Sequence, residues 1–178
     1  GQLRAAARRD TLTGLPNRRV FDEALQSEWR RCMRARTALS VAIVDPDGLT
    51  HVNEAYGHER GDSYMRRVGE IVTGHGNRAS DVAARFSPDA FALLLGNTPG
   101  DSARHVAERL RRAVAGAELL NTRAHRRRLT VSVGVATVWP SKRHKSAELL
   151  DVADALRYQA KGHGGDQVRS GEVDRQLT

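Results

Sequence analysis

The sequence has little cysteine, few aromatic residues and no long apolar run, and each shortage excludes a class of protein. Cys32 is the single cysteine among 178 residues, so neither an internal disulfide nor a paired-cysteine zinc site can form. Aromatic residues make up 4% of the chain, too few for a surface that stacks nucleic-acid bases. No apolar run is long enough to span a membrane, and the first residues lack the apolar core of a signal peptide. The cysteine content favours a reducing, cytoplasmic setting.

Positive charge is in excess, with 29 Lys and Arg against 21 Asp and Glu and a net charge of +8. Such an excess is typical of proteins that bind polyanions, including nucleic acids. Here the arginines are spread over predicted helix faces, and the densest cluster, residues 123–128, precedes a predicted strand as a solvated turn. We therefore expect a small anionic ligand, and neither nucleic acid nor a membrane surface as a partner.

Helical and strand patterns alternate along the chain. Apolar residues at helical spacing predict helices at about residues 17–36, 62–73, 101–114 and 146–161, the first of them capped by Asn17. Apolar and β-branched runs predict strands at residues 39–44, 82–86, 91–95 and 129–138, of which the middle two form a hairpin. The expected fold is α/β, a mixed central β-sheet flanked by α-helices around one core.

The chain is expected to hold one domain, residues 10–169, with a short extension at each end. The chain lacks an initiator methionine, so it is interpreted as a C-terminal module with a missing upstream part. Residues 1–9 are interpreted as a helix that connects the domain to that part. That upstream part could hold a sensor or a membrane anchor. Residues 170–178 are polar and are expected to form a frayed tail.

Residues 45–62 carry most of the chemistry. Asp45 and Asp47 end a predicted strand and are followed by Gly48, which places carboxylate oxygens and free backbone N–H groups together. Such groups bind a Mg–phosphate unit, and open α/β sheets bind ligands at these strand ends. Asp and Gly after a strand are also ordinary turn formers, so this segment alone leaves a plain turn as the alternative.

The tip of the predicted hairpin has an unusual composition, Ser87-Pro88-Asp89-Ala90. Two-residue hairpin turns normally need positive φ, whereas proline fixes φ at about −65°. Ser, Pro and Asp at the first three positions suit a type I turn. We therefore expect the hairpin to close without positive φ.

Five ordered segments at compatible spacings make the chain resemble a GGDEF domain, the fold of the bacterial diguanylate cyclases, from Asp10 to Val168. They are Asp10-Thr11-Leu12-Thr13-Gly14-Leu15-Pro16-Asn17-Arg18-Arg19, residues 45–62, Arg85-Phe86-Ser87-Pro88-Asp89-Ala90-Phe91, Val131-Ser132-Val133-Gly134-Val135-Ala136, and residues 153–161. The resemblance implies a nucleotidyl-cyclase-like sheet, with helices on its faces. It also implies a role in cyclic di-GMP signalling.

The resemblance assigns roles at the nucleotide site. Asp45 matches the family's Mg²⁺ ligand, so Mg²⁺ is the expected cofactor if GTP binds. Asn53 and Asp62 match the residues that contact the guanine edge, and an amide and a carboxylate suit its N3 acceptor and N–H donors. As alternatives, Asn53 is a turn residue and Asp62 the N-cap of the next helix. The remaining predicted nucleotide contacts are to phosphate, from Gly48, Leu49, Thr50 and Lys161.

Several matched positions depart from the family pattern. Thr50 replaces a phosphate-contacting lysine, and Gly165 stands where an arginine is expected. In the signature, Asp89 keeps the third-position acid, a metal and catalytic group, but Ala90 replaces the metal-site carboxylate that follows it. Both signature glycines are also absent. These losses predict negligible cyclase activity, with a weakly active cyclase as the alternative.

A second site precedes the signature by nine residues. Arg78-Ala79-Ser80-Asp81 matches the family's inhibitory RxxD motif, which binds cyclic di-GMP, and Arg109 matches an auxiliary arginine. Arginine can bind phosphate or a guanine edge in a bidentate way, and aspartate can accept from guanine N–H groups. The alternative is that Arg78 and Asp81 simply flank a strand.

Three functional hypotheses follow. The first is a degenerate GGDEF module that binds cyclic di-GMP, GTP or both and passes a signal to an attached upstream domain. The second is the weakly active cyclase, and the third is a ligand-free dimerisation or protein-interaction module. Active relatives work as antiparallel pairs with one GTP in each domain, so a homodimer is a further expectation.

Overall fold

The computed structural model describes residues 7–124 and 127–173. In this part of the chain five helices and five strands occur, and none of the helices is long and apolar enough to cross a membrane. In chain order they are α1 (Arg18–Ala35), β1 (Leu39–Asp47), α2 (Leu49–Tyr56), α3 (His58–Gly74), β2 (Val82–Ser87), β3 (Ala90–Gly96), α4 (Gly100–Gly116), β4 (Thr130–Val138), α5 (Ser146–Gly162) and β5 (Gln167–Glu172). Residues 125 and 126 of the arginine-rich cluster lie outside the described residues.

The strands form one mixed sheet in the order β2-β3-β1-β4-β5. All neighbours are antiparallel except β4 and β5, which are parallel. Helices cover both faces of the sheet. Successive side chains of the buried strands point to opposite faces and so pack into two separate cores. In β3, for example, Phe91 packs with the core of α3 and α4, whereas Leu94 packs with the core of α1 and α5. The predicted α/β sheet flanked by helices is confirmed.

Two helices follow β1 where the sequence predicted a turn and then one helix. Gly48, with φ of 73°, lets the chain leave β1 and enter α2. Gly57, with φ of 93°, separates α2 from α3, which begins at His58 rather than at Asp62. The suggested role of Asp62 as a helix N-cap is therefore wrong, because Gly57 holds that position. The suggested turn position of Asn53 is wrong as well, because Asn53 lies within α2.

Both ends of the described chain differ from the prediction. The predicted tail starts at residue 170, which lies within β5. This edge strand pairs with β4 although its sequence is polar. Val173, which follows β5, is buried. Residues 174–178 lie outside the described residues. At the start, residues 7–9 of the expected connecting helix are not helical, and Arg9 instead forms a β-bridge with Pro16. Residues 1–6 of that predicted helix also lie outside the described part.

Candidate functional site

Asp45 at the end of β1 lies against two cations from α5. Its Oδ2 accepts a hydrogen bond from Arg157 Nη1 at 2.7 Å, and its Oδ1 lies 3.1 Å from Lys161 Nζ. Arg157 also donates from Nε to Asp154 at 2.9 Å. Burial disfavours the charge on Arg157, but the hydrogen bonds and charges of Asp154 and Asp45 outweigh it and raise its pKa above the ordinary value. The guanidinium is therefore a permanent cation at Asp45.

Asp47, whose carboxylate the sequence placed with Asp45 at a Mg–phosphate site, is a structural anchor. Its carboxylate accepts hydrogen bonds from Thr130 Oγ1 at 2.8 Å, from Ser132 Oγ at 2.7 Å and from the backbone N–H of Asp166 at 2.9 Å. Lys161 Nζ lies 3.2 Å from the same carboxylate. Asp47 thus joins β1 to β4 and to the segment after α5. The available signal was its spacing of two residues from Asp45, since residues two apart share one face of a strand.

The predicted phosphate cradle is the start of α2. Gly48 precedes the helix, and Leu49 and Thr50 form its first turn, where backbone N–H groups have no partner within the helix. The side chain of Thr50 is exposed. Lys161, the fourth predicted phosphate contact, lies at the neighbouring strand end, where it also donates to the carbonyl of Pro46 at 2.9 Å. The structure brings these positions together at the carboxyl end of β1.

Asn53 lies where α2 packs on α3. The residue is half-buried, and its Oδ1 is buried without a hydrogen-bond donor among the described residues. Gly61 of α3 leaves room for this amide, because a Cβ at position 61 would collide with Asn53 Oδ1. Asp62 is the next residue and is exposed. The two predicted guanine contacts, Asn53 and Asp62, therefore lie at the α2–α3 junction. Gly61, which makes room for Asn53 there, was not singled out from the sequence.

The hairpin tip is tied down by Arg85. Its guanidinium donates to the carbonyls of Ser87 at 3.0 Å and Pro88 at 2.6 Å, and to Asp10 at 2.9 Å. None of residues 87–90 has positive φ, so the turn closes as predicted. Burial disfavours the charge on Asp10, but hydrogen bonds from Thr13 and the charge of Arg85 outweigh it and hold the pKa of that carboxyl below its usual value. The first and third family segments are thus joined at one point.

The predicted metal ligands, Asp45 and Asp89, line one cavity with Ala90, Asp154 and Arg157. Asp89 itself is exposed. Mg²⁺ requires several oxygen ligands in a near-octahedral arrangement. Here both oxygens of Asp45 already face cations, and Ala90 supplies none. Within the described ranges, no group of three or more acidic, histidine or cysteine side chains could hold a metal ion. The residues present do not fit a protein-held Mg²⁺.

The Arg78–Asp81 segment forms a closed turn just before β2. The backbone N–H of Arg78 donates to Asp81 Oδ2 at 3.0 Å, and Arg78 Nη1 donates to the carbonyl of Asn97 at 3.1 Å. Arg78 is exposed, while Asp81 Oδ1 is buried and has no donor among the residues described. Arg109 lies on the exposed side of α4. No hydrogen bond or ion pair joins it to the turn within the described part of the chain.

Comparison with known proteins decides the family. The model for the family "Diguanylate cyclase, GGDEF domain" matches residues 7–167. The chain is a GGDEF domain. Its signature reads Ser87-Pro88-Asp89-Ala90-Phe91, and its relatives include diguanylate cyclases.

Two curated relatives and one solved structure illustrate the similarity. The bifunctional diguanylate cyclase/cyclic di-GMP phosphodiesterase MucR of Pseudomonas aeruginosa is 34% identical over 92% of this chain, which spans 23% of MucR. The probable diguanylate cyclase DgcC of Escherichia coli is 33% identical over 94% of this chain, which spans 44% of DgcC. The coiled coil and GGDEF domain of DgcB from Caulobacter crescentus, solved with c-di-GMP, has a TM-score of 0.84 at 26% identity, covering 96% of this chain and 88% of that one. This domain therefore spans less than half of either curated relative.

Arg157 is a further site residue that sequence reasoning missed. It lies within the family segment 153–161, but no role was assigned to it. The available signal was its spacing from Lys161, since residues four apart share one face of a helix. What the sequence could not supply is the partner, because Asp45 lies 112 residues away.

Proposed function

We propose that this GGDEF domain is catalytically degenerate and acts as a regulatory module in cyclic di-GMP signalling. It binds cyclic di-GMP at Arg78 and Asp81, GTP at Asn53 and Asp62, or both. The observation that carries the proposal is the difference between the tip of the β2–β3 hairpin and the turn that precedes it. Ala90 replaces a carboxylate and is buried at the signature, whereas Arg78 and Asp81 remain together on an exposed turn before the same hairpin.

The geometry of Arg78 supports ligand binding at this turn. Its hydrogen bonds within the described residues use Nη1, to Asn97 and at 3.5 Å to Thr98. Nη2 and Nε therefore stay available for a phosphate or a guanine edge, for which arginine is suited. Asp81 Oδ1 is buried and lacks a donor among the described residues, and a guanine N1–H or N2–H would supply one once the carboxylate turns toward the surface. Arg109 is proposed as an auxiliary contact.

The first turn of α2 and the α2–α3 junction support GTP binding. Phosphates would meet the N–H groups of Leu49 and Thr50, and Lys161 would join them by giving up one of its contacts to Pro46, Asp45 and Asp47. GTP would bring Mg²⁺ on its own phosphates. Because MucR and DgcC are longer than this domain, we propose that an attached upstream domain receives or supplies the signal. A homodimer is one route by which the signal could pass.

Titration calorimetry with cyclic di-GMP tests the proposal directly. Arg78→Ala is expected to weaken cyclic di-GMP binding about 10- to 100-fold, because charge-assisted hydrogen bonds contribute about 1.5–3 kcal/mol each. Asn53→Ala should leave that binding unchanged and weaken GTP binding instead. Arg112→Ala, an exposed arginine on α4, is the matched control for charge. Absence of heat with both nucleotides would reject the proposal and favour an interaction module.

Gly61→Ala separates nucleotide binding from stability. The added methyl group collides with Asn53 Oδ1 and should rotate the amide away, weakening GTP binding about tenfold, as the loss of one hydrogen bond to a base would. The free energy of unfolding should change by less than about 1 kcal/mol, since alanine favours the helix and the amide can move. Gly74→Ala at the end of α3 is the control, because a Cβ there meets nothing within 4 Å. Unchanged GTP affinity in Gly61→Ala would argue against Asn53 as a contact.

A further inference from the structure

The two cations at Asp45 form a closed electrostatic unit. Arg157 and Lys161 lie four residues apart on α5, and each takes a different oxygen of Asp45, at 2.7 and 3.1 Å. The three side chains are largely shielded from solvent, with exposed fractions of 21% for Arg157, 13% for Asp45 and 30% for Lys161. Asp154 pairs with Arg157 from the same helix. We call Arg157 and Lys161 the Asp45 cation pair.

We propose that the Asp45 cation pair replaces a divalent metal, so that nucleotide binding by this domain does not depend on protein-held Mg²⁺. The part of this inference that concerns GTP binding rests on the proposed function. It goes further in assigning Arg157 as a positioning residue that keeps Asp45 from acting as a metal ligand.

Electrostatics favours the internal cations over a metal ion. A divalent ion at Asp45 would have to displace Arg157 or share the carboxylate with it, and like charges this close repel strongly when shielded from water. A displaced guanidinium would keep only Asp154 as a partner. The metal would gain few oxygens in return, because Ala90 has none and Asp89 is exposed. The free energy lost by displacing Arg157 from Asp45 therefore exceeds the free energy gained by binding the metal ion to the few oxygens present.

The same arrangement leaves a cation facing the cavity. Arg157 has five N–H donors, of which Nη1 serves Asp45 and Nε serves Asp154. Arg157 lines the cavity between Asp45 and Asp89. A phosphate entering there would meet arginine where a metal-dependent site would offer Mg²⁺. Binding without catalysis follows, because a fixed guanidinium can neutralise phosphate but cannot activate an attacking hydroxyl as a metal does.

Metal binding can be measured without any nucleotide. We expect the whole chain to leave the electron paramagnetic resonance signal of millimolar Mn²⁺ unchanged. Arg157→Gln combined with Ala90→Glu, which removes the guanidinium from Asp45 and adds a second carboxylate, should gain Mn²⁺ binding, which a further Asp45→Asn change should remove. Arg157→Lys combined with Ala90→Glu keeps the positive charge and should not bind Mn²⁺, so the comparison shows that loss of the charge allows the metal to bind. Mn²⁺ binding by the unmodified chain that Asp45→Asn abolishes would overturn the inference, as would failure of the folded Arg157→Gln/Ala90→Glu variant to bind Mn²⁺.

GTP titrations in EDTA and in Mg²⁺ form the second arm. The unmodified chain should bind GTP with affinities that agree within about threefold in the two conditions. A tenfold or larger loss in EDTA would overturn the metal-independence. If GTP gives no heat in either condition, the GTP part of the proposed function fails, while the Mn²⁺ measurement still decides whether Arg157 keeps metal from Asp45.

Discussion

Gly134→Ala is expected to lower the free energy of unfolding by about 3 kcal/mol, at the upper end of the cost of overpacking. Gly134 lies in the middle of β4, the strand on which α5 packs. A Cβ there would collide with the carbonyl of Ala153 and the backbone N–H of Arg157, and would lie 3.0 Å from Arg157 Cα. These neighbours are backbone atoms, so no side-chain rotation can relieve the collision. The whole helix must move away from the sheet.

Thermal unfolding followed by circular dichroism measures the effect. For a domain of this size, a loss of about 3 kcal/mol corresponds to a fall in Tm of about 6–12 °C. Gly162→Ala, at the end of the same helix, is the control, because a Cβ there meets nothing within 4 Å. It should leave Tm unchanged or raise it slightly. If Gly134→Ala unfolds at the same temperature as the unmodified chain, the close packing of α5 on β4 is incorrect.

The same substitution connects the fold to the site. Gly134 fixes the distance from the sheet to α5, and α5 carries Arg157 and Lys161 to Asp45. Movement of the helix would lengthen both ion pairs. The glycine in the family segment 131–136 thus has a physical reason, which is close approach of two backbones rather than positive φ.

Most of the fold could be predicted because its pattern is local. The helices α1, α4 and α5 and the strands β1 to β4 show apolar periodicity or β-branched runs that burial of one or both faces requires. β5 was missed because an edge strand need not be apolar, and Val168 is the one large apolar side chain in Gln167–Glu172. α2 was missed because its eight residues bury only Val52 completely, which leaves no helical stripe to detect.

The site residues also fall into two groups, those that the sequence could identify and those that it could not. Asp45, Asn53, Asp62, Arg78 and Asp81 could be singled out because the family segments carry them. The residues that set their environment could not, because each acts through a contact that is distant in sequence. Gly61 makes room for Asn53 across a helix junction, and Arg157 reaches Asp45 from 112 residues away. Such effects depend on tertiary packing, which no local pattern records.

The purified domain is expected to convert GTP to cyclic di-GMP at least about 10⁴-fold more slowly than an active diguanylate cyclase assayed beside it. Cyclisation needs a 3′-hydroxyl to attack an α-phosphate while metal neutralises the developing charge. Loss of one preorganised electrostatic group costs roughly 10²–10³ in rate, and such losses need not add. Here the carboxylate at position 90 is absent, the tip carbonyls are bound by Arg85, and Asp45 is paired with two cations.

Restoring the missing carboxylate alone should not restore activity. In Ala90→Glu the new side chain would enter the cavity that holds Arg157 and would pair with that guanidinium instead of a metal. Chromatography of the reaction with GTP and Mg²⁺ should therefore show no cyclic di-GMP from either the unmodified chain or this variant. Steady product formation that Asp89→Asn abolishes would contradict the prediction, because it would show that the rebuilt signature still works. Product that persists in Asp89→Asn would instead point to a contaminating cyclase, since Asp89 is the acid that the signature retains.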